Sequence, residues 1–170
     1  MNIYKIFLNA FYIWILFATI IFAQNRNEAA ARIKVGIVQG IKIEPVKGNL
    51  DFGEIILDKS NSLVKKEPSE GIEFKVTGEP NKTVVVTYNE TGMLRKDKSG
   101  ETLPFNSSVV HTSNSESYAN PVAVTNGTSY KLLKNKKSGL LYLWVGGKLN
   151  IYPTQSPGNY KGLFNITVAY

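Results

Sequence analysis

Phe164-Asn165-Ile166-Thr167-Val168-Ala169-Tyr170 alternates apolar with small or polar side chains without a break. Successive side chains of a strand point to opposite faces. Phe164, Ile166, Val168 and Tyr170 therefore share one face, and Asn165, Thr167 and Ala169 share the other. A helix would scatter those four apolar residues around its circumference. The stretch reads as a strand with one buried face.

The same period runs back through the chain. Ile33, Val35 and Ile37 alternate with Arg32, Lys34 and Gly36, and Ile41 and Ile43 with Lys42 and Glu44. Further runs rich in Val, Ile, Thr and aromatics cover 50–57, 72–77, 83–88, 122–125, 130–133, 140–145, 148–152 and 160–170. Gly, Pro, Asn and Ser bound them, which is the pattern of short strands and turns. The best helical candidate after residue 24, Asn27 to Arg32, makes about one and a half turns and is too short to stand alone. About nine strands with one buried face each predict a β-sandwich. There is no internal repeat and no linker, so residues 24–170 read as a single domain.

Three local features refine this expectation. The polar stretch from Phe105 to Asn120 reads as one long loop or a weakly formed hairpin. Gly146-Gly147 between two apolar runs is either a tight hairpin turn or a bulge that bends one long strand. Ser156-Pro157-Gly158-Asn159 reads as a turn, with Pro fixing φ and Gly supplying positive φ.

Residues 1–23 read as a signal peptide. Lys5 is the only charge before residue 26, and the apolar run Ala10–Ala23 follows it. As a helix those residues span roughly 21 Å, short of a bilayer core of about 30 Å. Ala23 offers a small-residue cleavage site before Gln24. Cleavage there would leave the protein exported, in the periplasm, on the cell surface or outside the cell. Without cleavage, this segment would be the protein's membrane contact.

Counting excludes much chemistry. The 170 residues contain no Cys and one His, His111. Disulfides, thiolate nucleophiles, Cys-ligated zinc and multi-His metal sites are ruled out. No metal or cofactor is expected. His111 lies among hydroxyl residues, in Val109-Val-His-Thr-Ser-Asn-Ser115, but no Gly-x-Ser-x-Gly elbow accompanies it. It reads as a solvated loop residue. Asp51 and Glu54 flank Gly53 as solvated acids rather than a paired-carboxylate site. No catalytic residue is assigned, and the chain is read as non-enzymatic.

The net charge is +7, or +6 once Lys5 leaves with the signal. Lys131, Lys134, Lys136 and Lys137 form the densest basic patch. Lys136-Lys137-Ser138-Gly139 has the look of a hairpin tip with solvated lysines, so nucleic acid is not an expected partner. Tyr142, Trp144, Tyr152 and Tyr160 are candidates for a glycan-binding patch, although Trp144 in so apolar a run reads first as core. Five Asn-x-Ser/Thr triplets occur, at Asn81, Asn89, Asn106, Asn126 and Asn165. In a chain rich in these residues they read as chance matches.

Three blocks in order carry a resemblance. They are Leu50-Asp-Phe-Gly-Glu-Ile55; Phe74-Lys-Val-Thr-Gly-Glu-Pro80 with the Val-rich run to Tyr88; and Val145-Gly-Gly-Lys-Leu149, Gln155-Ser-Pro-Gly-Asn-Tyr-Lys-Gly162 and Phe164–Tyr170. Across residues 33–170 the chain resembles the bacterial family called domain of unknown function 4402. The resemblance implies an all-β, immunoglobulin-like sandwich of about 8–10 antiparallel strands after the signal helix, related to pilus and spore-coat subunits. It carries over no catalytic residue. On that footing the expected function is a structural or adhesive surface subunit that assembles by strand exchange. Ile33, Val35 and Ile37 are the candidate donor, and Phe164, Ile166, Val168 and Tyr170 the candidate partner strand. The implied partners are itself, a related subunit and a periplasmic chaperone. The alternative is a monomeric exported module that binds a glycan, a peptide or an envelope component.

Overall fold

The computed structural model describes residues 40–57 and 59–170. The signal segment and Ile33, Val35 and Ile37 lie outside them. Twelve strands are found among the described residues: β1 (Lys42–Lys47), β2 (Ser62–Lys66), β3 (Ile72–Gly78), β4 (Thr83–Tyr88), β5 (Thr91–Lys96), β6 (Thr102–His111), β7 (Val122–Ala123), β8 (Thr128–Lys131), β9 (Leu133–Asn135), β10 (Ser138–Ile151), β11 (Tyr160–Lys161) and β12 (Ile166–Ala169). Every pairing is antiparallel. Nine strands form a large sheet, ordered β1-β3-β10-β6-β5-β11 with β2, β7 and β9 beside that path. Three form a small sheet, ordered β12-β4-β8. The all-β sandwich expected from the alternation is the fold observed.

The 14-residue strand β10 is the spine of the large sheet. Leu143 to Val145 pair with β3 and with β6, so those two strands occupy opposite edges of β10. Gly147–Leu149 pair with both β2 and β6, which places β2 on the β3 edge. That edge is interrupted at Gly146, where the link from β2 to β3 climbs over β10 through a 3-10 turn at Pro68–Glu70. A Cβ on Gly146 would lie 2.4 Å from the Lys66 carbonyl oxygen, and one on Gly71 would lie 1.9 Å from that of Val145. Gly146-Gly147 is thus not a hairpin turn but part of one long strand, and its pairing with β6 runs through both glycines without a bulge. Gly146 lacks a side chain where the β2–β3 link crosses, and Gly147 where the Phe105 ring and the Asn106 carbonyl of β6 press close.

The stretch from Phe105 to Asn120, expected as one long loop or a weakly formed hairpin, is not one loop: β6 occupies its first part and pairs with β7 beyond the irregular part. Phe105–His111 belongs to the ten-residue strand β6, and only the part beyond His111 is irregular. Its polar residues, Asn106, Ser107 and Ser108, obscure the alternation of Leu103, Phe105 and Val109, which are buried. The turn at Ser156–Asn159 is also different. Gly158 takes φ 151° rather than the about +80° of a type II turn. The hydrogen-bonded reversal lies just before it, where Gln155 N–H donates to the Tyr152 carbonyl at 2.9 Å. Lys136-Lys137 does form the tip of the β9–β10 hairpin, with Lys136 at φ 54°.

Among the described residues, two apolar clusters form the core. The first lies between the sheets, with Val76, Val109, Leu141, Leu143 and Val145 from the large sheet against Val84, Val86 and Val168 from the small one. The second, Leu103, Phe105, Leu149 and Ile151, contains no residue of the small sheet. Leu50, Phe52 and Ile55 cover it instead, from an irregular segment rather than the strand expected there. An Asx turn shapes that segment: Gly53, at φ 70°, donates its N–H to Asp51 Oδ1 at 2.9 Å. Phe52 meets Phe105 edge to face at 6.1 Å.

Candidate functional site: the edge and outer face of the small sheet

β12 forms on the alternation that the sequence displays. Val168 is buried and Ile166 half-buried, while Thr167 and Ala169 are exposed. Phe164 is half-buried just before the strand and bridges both core clusters. Tyr170 lies just beyond it and is 50% exposed, so only part of its ring contributes to the interior. β12 pairs with β4 on one side, Ile166 opposite Tyr88 and Val168 opposite Val86. Its other side is an open edge among the described residues. β1, the edge strand of the large sheet, approaches β12 on that flank. Among the described residues, the two sheets thus present neighbouring edges, with no strand paired on the outer side of β12 or of β1.

The outer face of the small sheet carries a second feature. Thr87 of β4 lies opposite Thr167 of β12. Together with Asn89, Asn126, Asn165 and Tyr88 they line an open pocket of about 270 Å³. Tyr88 N–H donates to Asn126 Oδ1 at 2.9 Å, and Asn89 N–H to the Asn165 carbonyl at 3.2 Å. Those bonds fix the walls. No charged residue lines the pocket. Sequence reading had no handle on this site, because β4, β12 and the β7–β8 loop are brought together only by the sheet.

The remaining candidates separate in space. Tyr142 and Trp144 are buried on the outer face of the large sheet, with Lys75 Nζ 5.8 Å from the centre of the Tyr142 ring. Trp144 Nε1–H donates to Thr112 Oγ1 at 3.0 Å, and Tyr118 packs edge-on against its ring at 5.2 Å. Tyr160 belongs to β11 at the far edge of the same sheet, where its hydroxyl donates to the Ser156 carbonyl. Tyr152 is exposed beyond the end of β10. These four aromatics do not form one patch. Asp51 and Glu54 are exposed. His111 ends β6 rather than lying in a loop. It packs against Tyr130 at 5.0 Å, and its Nδ1 accepts the Ser113 N–H at 3.3 Å. Burial holds its imidazole below the ordinary histidine pKa.

Glu73 was not singled out by sequence reading. It lies on the outer face of β3, opposite Trp144 on β10 and Lys47 on β1. It is 5% exposed, and its Oε1 has no hydrogen-bond partner. Burial raises its pKa and the Glu116 carboxylate raises it further, against a smaller lowering by Lys47. Among the described residues, no hydroxyl or histidine is hydrogen-bonded to Glu73, and the Glu116 carboxylate is the acidic neighbour that acts on it.

No curated protein matches the chain. The two sheets, the β12 edge and the third sequence block all fall within residues 60–170 or draw on them, and that stretch matches the family model described as a domain of unknown function, DUF4402. The Leu50–Ile55 block precedes the matched residues. With about two thirds of its length matched, the chain belongs to the DUF4402 family.

Proposed function

We propose that this protein is an exported structural or adhesive surface subunit, fimbrial-subunit-like and non-enzymatic, which associates by strand exchange. The observation that supports the reading is the β12 edge beside β1, which no strand of the described residues covers. An incoming strand there would gain a ladder of backbone hydrogen bonds, and its alternate side chains would meet apolar residues of the flank such as Ile43 and Ile166. Ile33-Lys34-Val35-Gly36-Ile37 from a second copy has the period such a donor needs. A related subunit or a periplasmic chaperone would use the same edge. Light scattering after size exclusion tests the reading on protein lacking residues 1–23. Concentration-dependent oligomers that are lost on deleting residues 24–38 are expected. A monomer at every concentration would overturn it.

A second reading, a monomeric exported binding module, is favoured by a different observation: the uncharged pocket on the outer face of the small sheet. The same measurement separates the two readings by mass.

A further inference from the structure

The pocket on the small sheet brings together three of the five Asn-x-Ser/Thr asparagines, Asn89, Asn126 and Asn165, from three separate parts of the chain. Strand geometry accounts for one of these triplets. Residues two apart on a strand share a face, so Asn165-Ile166-Thr167 sets a carboxamide and a hydroxyl side by side while Ile166 turns to the core. The antiparallel register then adds Thr87, directly opposite Thr167. The spacing that resembles a glycosylation signal is here the spacing of a polar sheet face.

The polar groups are fixed but not used up. Asn126 Oδ1 is engaged by Tyr88 N–H, which turns the two Nδ2 donors of that carboxamide to other partners. Among the described residues, no protein hydrogen bond engages the side chains of Asn89, Asn165, Thr87 or Thr167. Carboxamides and hydroxyls both donate and accept, as the hydroxyl groups of a sugar do. The protein carries a net charge of +7, yet no charged residue lines this pocket, so it offers an anion no ion pair. The volume, about 270 Å³, is below the roughly 300–1,000 Å³ of pockets that engulf a drug-sized ligand. It fits a single ring with the rest of the ligand outside.

We infer that this pocket is a binding site for one ring of a neutral saccharide, held by Asn89, Asn165, Thr87 and Thr167 with Asn126 fixing the wall. The inference deepens the binding-module reading and uses the face of the small sheet, not its edge. Whether the chain is monomeric is settled by the mass measurement, so the two can fail separately.

The test is a titration of isotope-labelled protein with maltotriose, cellotriose and N-acetylchitotriose, following backbone amide resonances, with trigalacturonate as the charged control. At least one neutral trisaccharide is expected to shift the amides of Asn89, Gly127 and Thr167 saturably, and trigalacturonate to bind more weakly. Thr167→Val keeps the side-chain shape and removes the hydroxyl; Asn165→Ala removes the carboxamide. Each is expected to weaken binding about three- to tenfold while the remaining resonances stay in place. Thr167→Val alone suffices if Asn165→Ala disturbs the fold. No response from these amides to any neutral sugar, a response unaltered by the substitutions, or binding of trigalacturonate alone would each overturn the inference.

Discussion

The hydroxyl of Tyr170 accepts the backbone N–H of Glu79 at 2.7 Å, across 91 positions of sequence. Tyr170 follows β12 of the small sheet, and Glu79 follows β3 of the large one. The bond therefore pins the two sheets together at one corner. Gly78 makes room for it: a Cβ there would lie 2.5 Å from the Tyr170 hydroxyl.

Tyr170→Phe tests that pin. Removing the hydroxyl leaves the ring and deletes the hydrogen bond, so a loss of about 0.5–1.5 kcal/mol is expected in denaturant unfolding. Water reaches this exposed corner, which keeps the loss at the lower end. Gly78→Ala is expected to cost more, because the added methyl meets Leu132 as well as Tyr170.

Gly146→Ala is expected to destabilise the protein by about 3 kcal/mol or more, since the methyl would collide with backbone atoms of Lys66, Glu67 and Pro68. Gly92→Ala provides the contrast. Its Cβ would make an ordinary 3.7 Å contact with Phe105, so it should unfold at nearly the parent midpoint. Equal behaviour of the two variants would show that the β2–β3 link does not cross β10 at Gly146.

Glu73→Gln gives a pH signature. The folded-state pKa of Glu73 is raised, chiefly by burial and then by Glu116, so the folded chain holds the proton more tightly than the unfolded one. Its destabilising contribution is present above the folded pKa and relieved as pH falls through that pKa toward the unfolded value. The glutamine variant should therefore be more stable than the parent at neutral pH, with the difference shrinking in the acid range. Melting curves of both proteins from neutral to acid pH check it.

His111 works in the opposite sense. Burial lowers its folded pKa, so the neutral imidazole is favoured and stability is lost as pH falls from the ordinary histidine value through the folded one. His111→Ala should remove that dependence. It should also cost about 1 kcal/mol at neutral pH through the lost edge-on packing with Tyr130.

The alternation from Phe164 to Tyr170 fixed its own inward face, because period two leaves a strand only two ways to face a core. The β4 and β10 runs, the absence of thiol and multi-histidine chemistry, and the Lys136-Lys137 tip were legible for similarly local reasons. β6 was not, since Asn106, Ser107 and Ser108 look like loop until Gly147 and Lys148 of β10 are seen pairing beside them. Nor was the role of Gly146, which depends on chain arriving from residues 66–68. The buried Glu73 carboxylate and the pocket of Asn89, Asn126 and Asn165 belong to the same class. Each is a meeting of side chains or backbone from distant segments, and sequence periodicity records which way a residue faces but not what it will face.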